Sequence, residues 1–362
     1  LFLAIRELLY SKLRYFLIVL IIFLLSFLVL FVSGLAQGLA YDNASAILNM
    51  DDEANYFVID DEAEMQLTRS LIDEEDQQMV YNNVDQAELL GIHQGTIQGN
   101  GEQQADVSKF HVDQDSALFP EITEGEAPSE PGEVLANETL QEEGFGVGDE
   151  FLEETTGETF TITGMTTNQN YSHTPVVYVT EEDWLEMGGE EEMLASALVL
   201  PDIGEETAST LNSQLTNSEV VTIQDSLSGI PGYSAEQASL WMMVVFLFII
   251  SAFVIAAFFY VITIQKLTQF GILKAIGAKV SNLANAILVQ AGIISIGSVA
   301  LGIVATFLVS ALLPAGMPFM LTFNLVASLA GIFIAVAILG SLLSLYKVKK
   351  VDALEAIGGM EA

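Results

Sequence analysis

The chain has 362 residues, of which 51% are hydrophobic, and a mean hydropathy of +0.48, yet it carries 48 acidic against 11 basic residues and no cysteine. The lack of cysteine excludes a disulfide-stapled fold, and the acidic excess within residues 41–238 argues against a nucleic-acid or anionic-lipid ligand for that segment. Both extremes in one chain require segregation: residues 41–238 hold 44 of the acids and only two bases, Arg69 and Lys109, while residues 239–346 contain no Asp or Glu.

In chain order, residues 1–40 combine a basic N-terminus (Arg6, Lys12, Arg14) with a first span, whose apolar run Phe16–Val32 continues past Gly34 toward Ala40. That run exceeds the hydrophobic core of an ordinary signal peptide and no A-x-A-like site follows where cleavage would need it, so an uncleaved anchor is expected. Residues 41–238 are long enough for a packed core of their own. Their first part, to about residue 130, mixes short apolar runs (Tyr56–Ile59, Leu89–His93) with acidic and Gln/Asn-rich stretches, and Glu121–Pro131 reads as a loop. Beyond it, Glu133–Ala136 is expected as a strand, Glu138–Glu143 as a short helix and Gly144–Asp149 as a turn. Strands follow at Phe151–Glu153, Thr159–Met165 and Val176–Thr180, then a helix from Glu181 to Met187, an α+β pattern.

Residues 239–265 form the second span, built on Leu240–Ile264; residues 284–313 form the third and 321–346 the fourth, built on Leu321–Leu345. Each covers the roughly 20 residues that cross about 30 Å of hydrocarbon. Gly292, Gly297 and Gly302 punctuate the third span, where they either let a neighbouring helix approach or do no more than cause no harm. The remaining bases, Lys266, Lys274 and Lys279 in the 266–283 loop and Lys347, Lys349 and Lys350 in the 347–362 tail, fall on the same side as the N-terminus. The positive-inside rule makes that side cytoplasmic, which puts residues 41–238 and the 314–320 turn outside. The expected fold class is thus an α-helical membrane protein with four transmembrane helices and a large extracytoplasmic α+β domain inserted between helices 1 and 2.

Chemistry-bearing motifs are scarce. Residues 41–238 contain no H-E-x-x-H, G-x-S-x-G or S-x-x-K sequence, the chain has no Walker A motif, and His93, His111 and His173 lack metal-ligand spacing, so neither an enzyme nor a resident metal is expected. Asp113, Asp115 and Glu124 occupy positions 1, 3 and 12 of an EF-hand-like loop, but Leu118 stands where glycine is required and Pro120 intrudes. The loop Gln265–Ala278, if helical, carries an apolar stripe of Phe270, Leu273 and Ile276 with Gly277, flanked by lysines; such a helix either floats in the interface or docks in a partner's groove. The tail Val351–Ile357 repeats the pattern.

At these residues the chain resembles the FtsX/MacB-like ABC transporter permeases. The loop is similar to their coupling segment and the tail to their terminal coupling motif, with Asp352 where a proline is usual. Glu133–Trp184, including Val147-Gly-Asp149 and Val177-Tyr-Val-Thr180, resembles their extracytoplasmic core domain. Within the family the likeness is greatest to Gram-positive haem-efflux permeases, through Ala4-Ile-Arg-Glu7, Leu30–Leu39, Ser234–Ala238, Ala257–Tyr260, Ile262–Gly277, Val336–Gly340 and Glu355–Gly358. The resemblance implies a non-catalytic permease subunit, a homodimer in the lipid bilayer paired with a separate cytoplasmic ABC ATPase, with haem as transported substrate and no intrinsic cofactor. It also implies coupling roles for Phe270, Gly271, Leu273, Lys274, Ile276, Gly277, Leu354 and Ile357.

A haem site at the lipid–water boundary needs aromatic faces and a Tyr, His, Met or carboxylate ligand. Tyr233, Glu236 and Met243 share a face at the start of the second span, with Met242 beside them; Tyr41 and Phe31 lie near the outer end of the first, and Tyr171 and His173 in a loop of the domain. Each has a plainer role: the tyrosines as interfacial anchors, the methionines as packing, His173 as a solvated loop residue, and Glu236 as a carboxylate at a helix N-terminus. Export of another amphiphile, or transmission of motion to a cell-wall hydrolase, remain open alternatives.

Overall fold

The computed structural model describes residues 12–50, 54–99, 101, 103–188, 195–201, 203–266, 269, 271–273, 276–277, 279–314 and 317–350. It divides into two compact units, residues 1–38 with 239–362, and residues 39–238.

The first unit is a helical bundle. It contains the first part of α1 (Lys12–Leu48), which runs on into the other unit, and the membrane-length helices α6 (Tyr233–Gln265), α7 (Val280–Ser310) and α8 (Phe323–Lys350). All four are long and apolar enough to cross a membrane. Side chains from each meet in one core: Ile22 and Leu30 of α1, Ile255 and Phe259 of α6, Ile294 of α7 and Phe333 of α8. Several hydroxyls inside the bundle return hydrogen bonds to their own helix, as Ser26 does to the Phe23 carbonyl, Ser295 to Ala291 and Thr306 to Gly302. An apolar surrounding offers them no other partner. Of the three glycines on the third span, only Gly302 sits in close contact: a Cβ there would come within 2.5 Å of the Ser26 Oγ of α1, whereas Gly292 and Gly297 have open space beside them.

The second unit is built on an eleven-stranded mixed sheet. Its strands are β1 (Ala54–Asp60), β2 (Glu88–Gln98), β3 (Gln104–His111), β4 (Ile122–Gly125), β5 (Glu133–Asn137), β6 (Glu150–Glu153), β7 (Thr159–Thr166), β8 (Asn170–Tyr171), β9 (Thr174–Val179), β10 (Ala197–Pro201) and β11 (Ser218–Thr222). Helices α2 (Glu74–Asn83), α3 (Glu181–Gly188), α4 (Glu205–Asn212) and the short α5 (Ile223–Ser226) connect them. The spatial order is β11-β1-β10-β2-β3-β9-β5-β7-β4, with β3–β9 and β5–β7 parallel. Because β6 pairs with both β2 and β7, hydrogen bonds close β2, β3, β9, β5, β7 and β6 into a six-stranded ring. Its interior is filled by Ile97, Val107, Val134, Phe151, Phe160 and Val177, drawn from all six strands. The strands expected between residues 133 and 180 are all present, and α3 covers Glu181–Gly188. The short helix expected at Glu138–Glu143 is a 3₁₀ segment of four residues, Glu138–Gln141.

One charge pair is sealed within the ring. Alternation along β3 and β6 turns Lys109 and Glu153 to the same side as Val107 and Phe151. Their Nζ and Oε1 lie 3.0 Å apart, with side chains only 4% and 0% exposed. Gly95 of β2 lies between them, where a Cβ would come within 2.5 Å of the carboxylate. Burial alone would push the Glu153 carboxyl up; the Thr156 amide and the Lys109 ammonium outweigh it and hold it down at about 2. A folded-state value below the unfolded 4.5 contributes stability that is complete above pH 4.5 and lost as pH falls through about 2. Lys109→Ala strands a buried carboxylate and is expected to cost about 3–5 kcal/mol, read as a lowered thermal midpoint of the full chain followed by Trp184 fluorescence in a Trp241→Phe background. An unchanged midpoint at pH 7 would refute this account of the pair.

Candidate functional site

The richest polar constellation among the described residues lies in the second unit, where the C-terminal part of α1 and the first turn of α6 meet the hairpin between β8 and β9. Helix α1 carries Asp42 and Asn43 just before a non-helical residue, Ala44 (φ −139°, ψ 15°). That break frees the Asn43 carbonyl, which accepts a 2.8 Å hydrogen bond from the Ser172 amide. Pairing of Asn170 with Pro175 and of Tyr171 with Thr174 leaves Ser172 and His173 as a two-residue turn. Both have positive φ, 54° and 60°, the pattern of a type I′ turn that Asn-Gly would adopt without strain. Side chains of this kind in the left-handed region cost about 1–2 kcal/mol per residue, so the surroundings must hold the turn in place.

They do so through His173. Its Nδ1 is 3.0 Å from Asp42 Oδ2 and its Nε2 is 3.1 Å from Glu236 Oε2. Asn43 Nδ2 donates to the same Glu236 oxygen at 3.1 Å and lies 2.9 Å from His173 Nε2. This triangle works in either protonation state. A charged ring donates from both nitrogens, one to each carboxylate; a neutral ring keeps its bond to Asp42 and can accept from Asn43 at Nε2. Asn170 extends the network, donating to Asp42 Oδ1 at 2.7 Å and receiving a 2.6 Å bond from the buried Asn137. Partial burial of the ring opposes its charge, but the hydrogen bonds to Asp42 and Glu236 and their negative charge outweigh burial, so His173 titrates above its usual 6.5. His173 is therefore not the solvated loop residue its sequence context suggests.

The other residues expected at a ligand site are dispersed. Tyr171 is fully buried in the domain core, edge-on to Phe110 with centroids 5.6 Å apart, rather than facing outward from a loop. Tyr41 donates to Asn49 Oδ1 at 2.8 Å. Tyr233, at the start of α6, packs half-buried against the core of the second unit. In the first unit, Phe31 stacks between Phe27 and Phe319, at 5.8 and 5.4 Å, while Met242 and Met243 are exposed on α6. Glu236 and Met243 are seven residues apart on this one continuous helix and so share a face two turns apart. Asp42 and Asn43 went unrecognised in the sequence; the available signal was a polar pair directly following an apolar run, with a Ser-His dipeptide between two β-prone segments.

Of the coupling residues, Gly271 and Leu273 lie in a short helical stretch, while Ile276 and Gly277 form a turn in which Ile276 is 76% exposed. Phe270, Lys274, Leu354 and Ile357 lie outside the described residues. The EF-hand-like trio is separated by the fold: Asp113 and Asp115 line an open acidic cleft of about 590 Å³ with Glu88 and His111, whereas Glu124 belongs to β4. No group of metal-competent side chains occurs among the described residues.

The FtsX-like permease C-terminal family matches residues 241–353. The permease HrtB of Staphylococcus haemolyticus, named for a hemin transport system, is 34% identical over 360 residues, 99% of this chain and 99% of that protein. The protein of the same name from Staphylococcus epidermidis is 33% identical over 358 residues, again 99% of each. An uncharacterized ABC transporter permease of Mycobacterium bovis is 23% identical over 272 residues, 74% of this chain and 72% of that one. Among solved structures, the periplasmic region of MacB from Actinobacillus actinomycetemcomitans aligns with a TM-score of 0.36 at 11% identity, over 49% of this chain and 94% of that one.

If His173 bridges the two carboxylates as an imidazolium, the bridge is complete below pH 6.5 and is lost as pH rises through its elevated value. For a ring 38% exposed, solvent screening holds the effect to under about 1 kcal/mol. The difference in thermal midpoint between the native chain and His173→Ala should be largest at pH 6 and shrink by pH 9. A difference that does not vary with pH would rule out the charged bridge.

Proposed function

This chain belongs to the FtsX-like family of ABC transporter permeases, and from that premise we propose that it exports haem across the cytoplasmic membrane. The observation that carries the substrate is the full-length similarity to permeases named for hemin transport, at 34% identity over 99% of both chains. The chain supplies no catalysis; a separate ABC ATPase drives it by pushing on the loop that contains Gly271, Leu273, Ile276 and Gly277 and on the C-terminal tail. With that side cytoplasmic, residues 41–238 lie outside. We place two copies of the chain side by side, with their α6 helices facing across the contact.

In this reading haem, as cargo, approaches laterally at the outer end of α6. Glu236 and Met243 offer a carboxylate and a thioether on one helical face, and both are iron-ligand chemistries. Among the described residues no hydrogen bond reaches Glu236 Oε1, while Oε2 is held by His173 and Asn43. Tyr233, Met242, Tyr41 and Phe31 would supply aromatic and polarizable surface around it. Tyr171 would contribute only as part of the supporting core, and His173 by orienting Glu236. The bundle suits such a cargo: residues 239–265 and spans three and four contain no acidic residue, so no polar relay for an ion runs through them.

The test is ATP hydrolysis by the permease, co-purified with its ATPase in lipid nanodiscs and titrated with haemin and with an iron-free porphyrin. Saturable stimulation by haemin alone is expected, with Glu236→Ala and Met243→Ala each weakening haemin about tenfold. A flat response from an otherwise active complex would remove haem as the substrate and favour another amphiphile or an external protein partner.

A further inference from the structure

The helical bundle contains one buried charge among its described residues, and it sits where α6 gives way to the loop. Lys266 follows the last residue of α6, and its amide still bonds to the Thr263 carbonyl at 3.1 Å. Its sequence context marks it as one of the lysines on the cytoplasmic surface, yet the residue is only 4% exposed. Nζ donates to Gln290 Oε1 of α7 at 2.9 Å and stands 5.5 Å from the ring centroid of Tyr15 on α1. Tyr15 and Gln290 are themselves buried. Phe259, Ile262, Ile287 and Ile294 wall the group, and the remaining void of about 10 Å³ is at the lower limit for a single water.

An ammonium in such a place is an expensive way to fasten three helices, since apolar side chains of the same volume would hold them at least as well. What it adds is direction. A hydrogen bond to one helix and a cation–π contact to another fix the end of α6 against α7 and α1 at a defined register, which apolar packing does not. Gln290 has no other arrangement imposed on it: its Nε2 is buried without a partner, so Lys266 is the group that orients the amide.

Resting on the reading of a permease driven through its cytoplasmic loop, we propose that Lys266 is a positioning residue for force transmission. Through Gln290 and Tyr15 it makes α1, α6 and α7 move as one when the loop is displaced. The residue touches no cargo and performs no chemistry.

The test uses the permease–ATPase complex in nanodiscs and a readout that needs no cargo. The chain has no cysteine, so Ser239→Cys, an exposed position at the far end of α6, accepts a single environment-sensitive fluorophore before the ATPase is added. ATP with vanadate should shift the emission of this reporter. In Lys266→Met, which keeps length and volume but no charge, ATP hydrolysis should stay within about twofold of the parent while the shift falls to about one fifth or less. Lys266→Arg, which keeps the charge and donors, should restore at least half of it. If Lys266→Met does not reach the membrane, Gln290→Leu carries the test, because it removes the acceptor and leaves the charge. A full shift in Lys266→Met or in Gln290→Leu overturns the proposal, as does a parent complex that hydrolyses ATP without any shift. Failure of haemin to stimulate hydrolysis bears on the cargo alone, since the reporter is read in its absence.

Discussion

An apolar medium cannot hydrogen-bond a polar group, and the architecture follows from that constraint. Within the bundle the long helices meet their own backbone groups, and several hydroxyls, those of Ser26, Ser295 and Thr306 among them, turn back onto carbonyls of the preceding turn. Acidic residues are absent from 239–346 and concentrated in 41–238. Against this background Lys266 stands out, because it keeps a charge inside the helical core and meets its needs with a neighbouring amide and an aromatic face.

The second unit obeys the same rule with a sheet in place of helices. A closed ring of six strands removes the exposed edges between them; inside it the Glu153 carboxylate faces the Lys109 ammonium with one oxygen and accepts from the Thr156 amide with the other. The ring is connected to the ends of the two helices that enter this unit. Strand β9 pairs with β3 and β5 in the ring and begins at the strained Ser172–His173 turn. That turn holds Asp42 and Asn43 of α1 and Glu236 of α6. A displacement of either helix end must therefore move the hairpin or break its hydrogen bonds. The turn's backbone strain and the imidazole's two carboxylate partners are two sides of one arrangement, since the contacts stabilise a conformation that Ser and His disfavour.

Glu236 secures the first turn of α6 to the hairpin through one carboxylate oxygen, which His173 and Asn43 share. Met243, two turns further along, is exposed on the same face.

Much of this was legible in the residue order because it depends on local, one-dimensional properties. Long apolar runs mark helices that cross a bilayer whatever their neighbours, and alternation between residues 133 and 180 marks strands because side chains of period two need a face to bury. Glu236 stood out as the last acid before more than 100 uncharged or basic positions. Other features arise only from contacts distant in sequence. Lys109 reads as a stray base until β3 and β6 bring it to Glu153 across Gly95. His173 reads as a loop residue until a kink in α1, some 130 positions away, supplies Asp42. Tyr171 reads as exposed until its strand is paired and turned inward. Lys266 reads as one of several surface lysines until α1 and α7 close over it. Composition and periodicity determine which segments are helix, strand and span; the partners of each charge are decided by which segments the tertiary fold places side by side, because the energy of a buried charge depends on its neighbours in space.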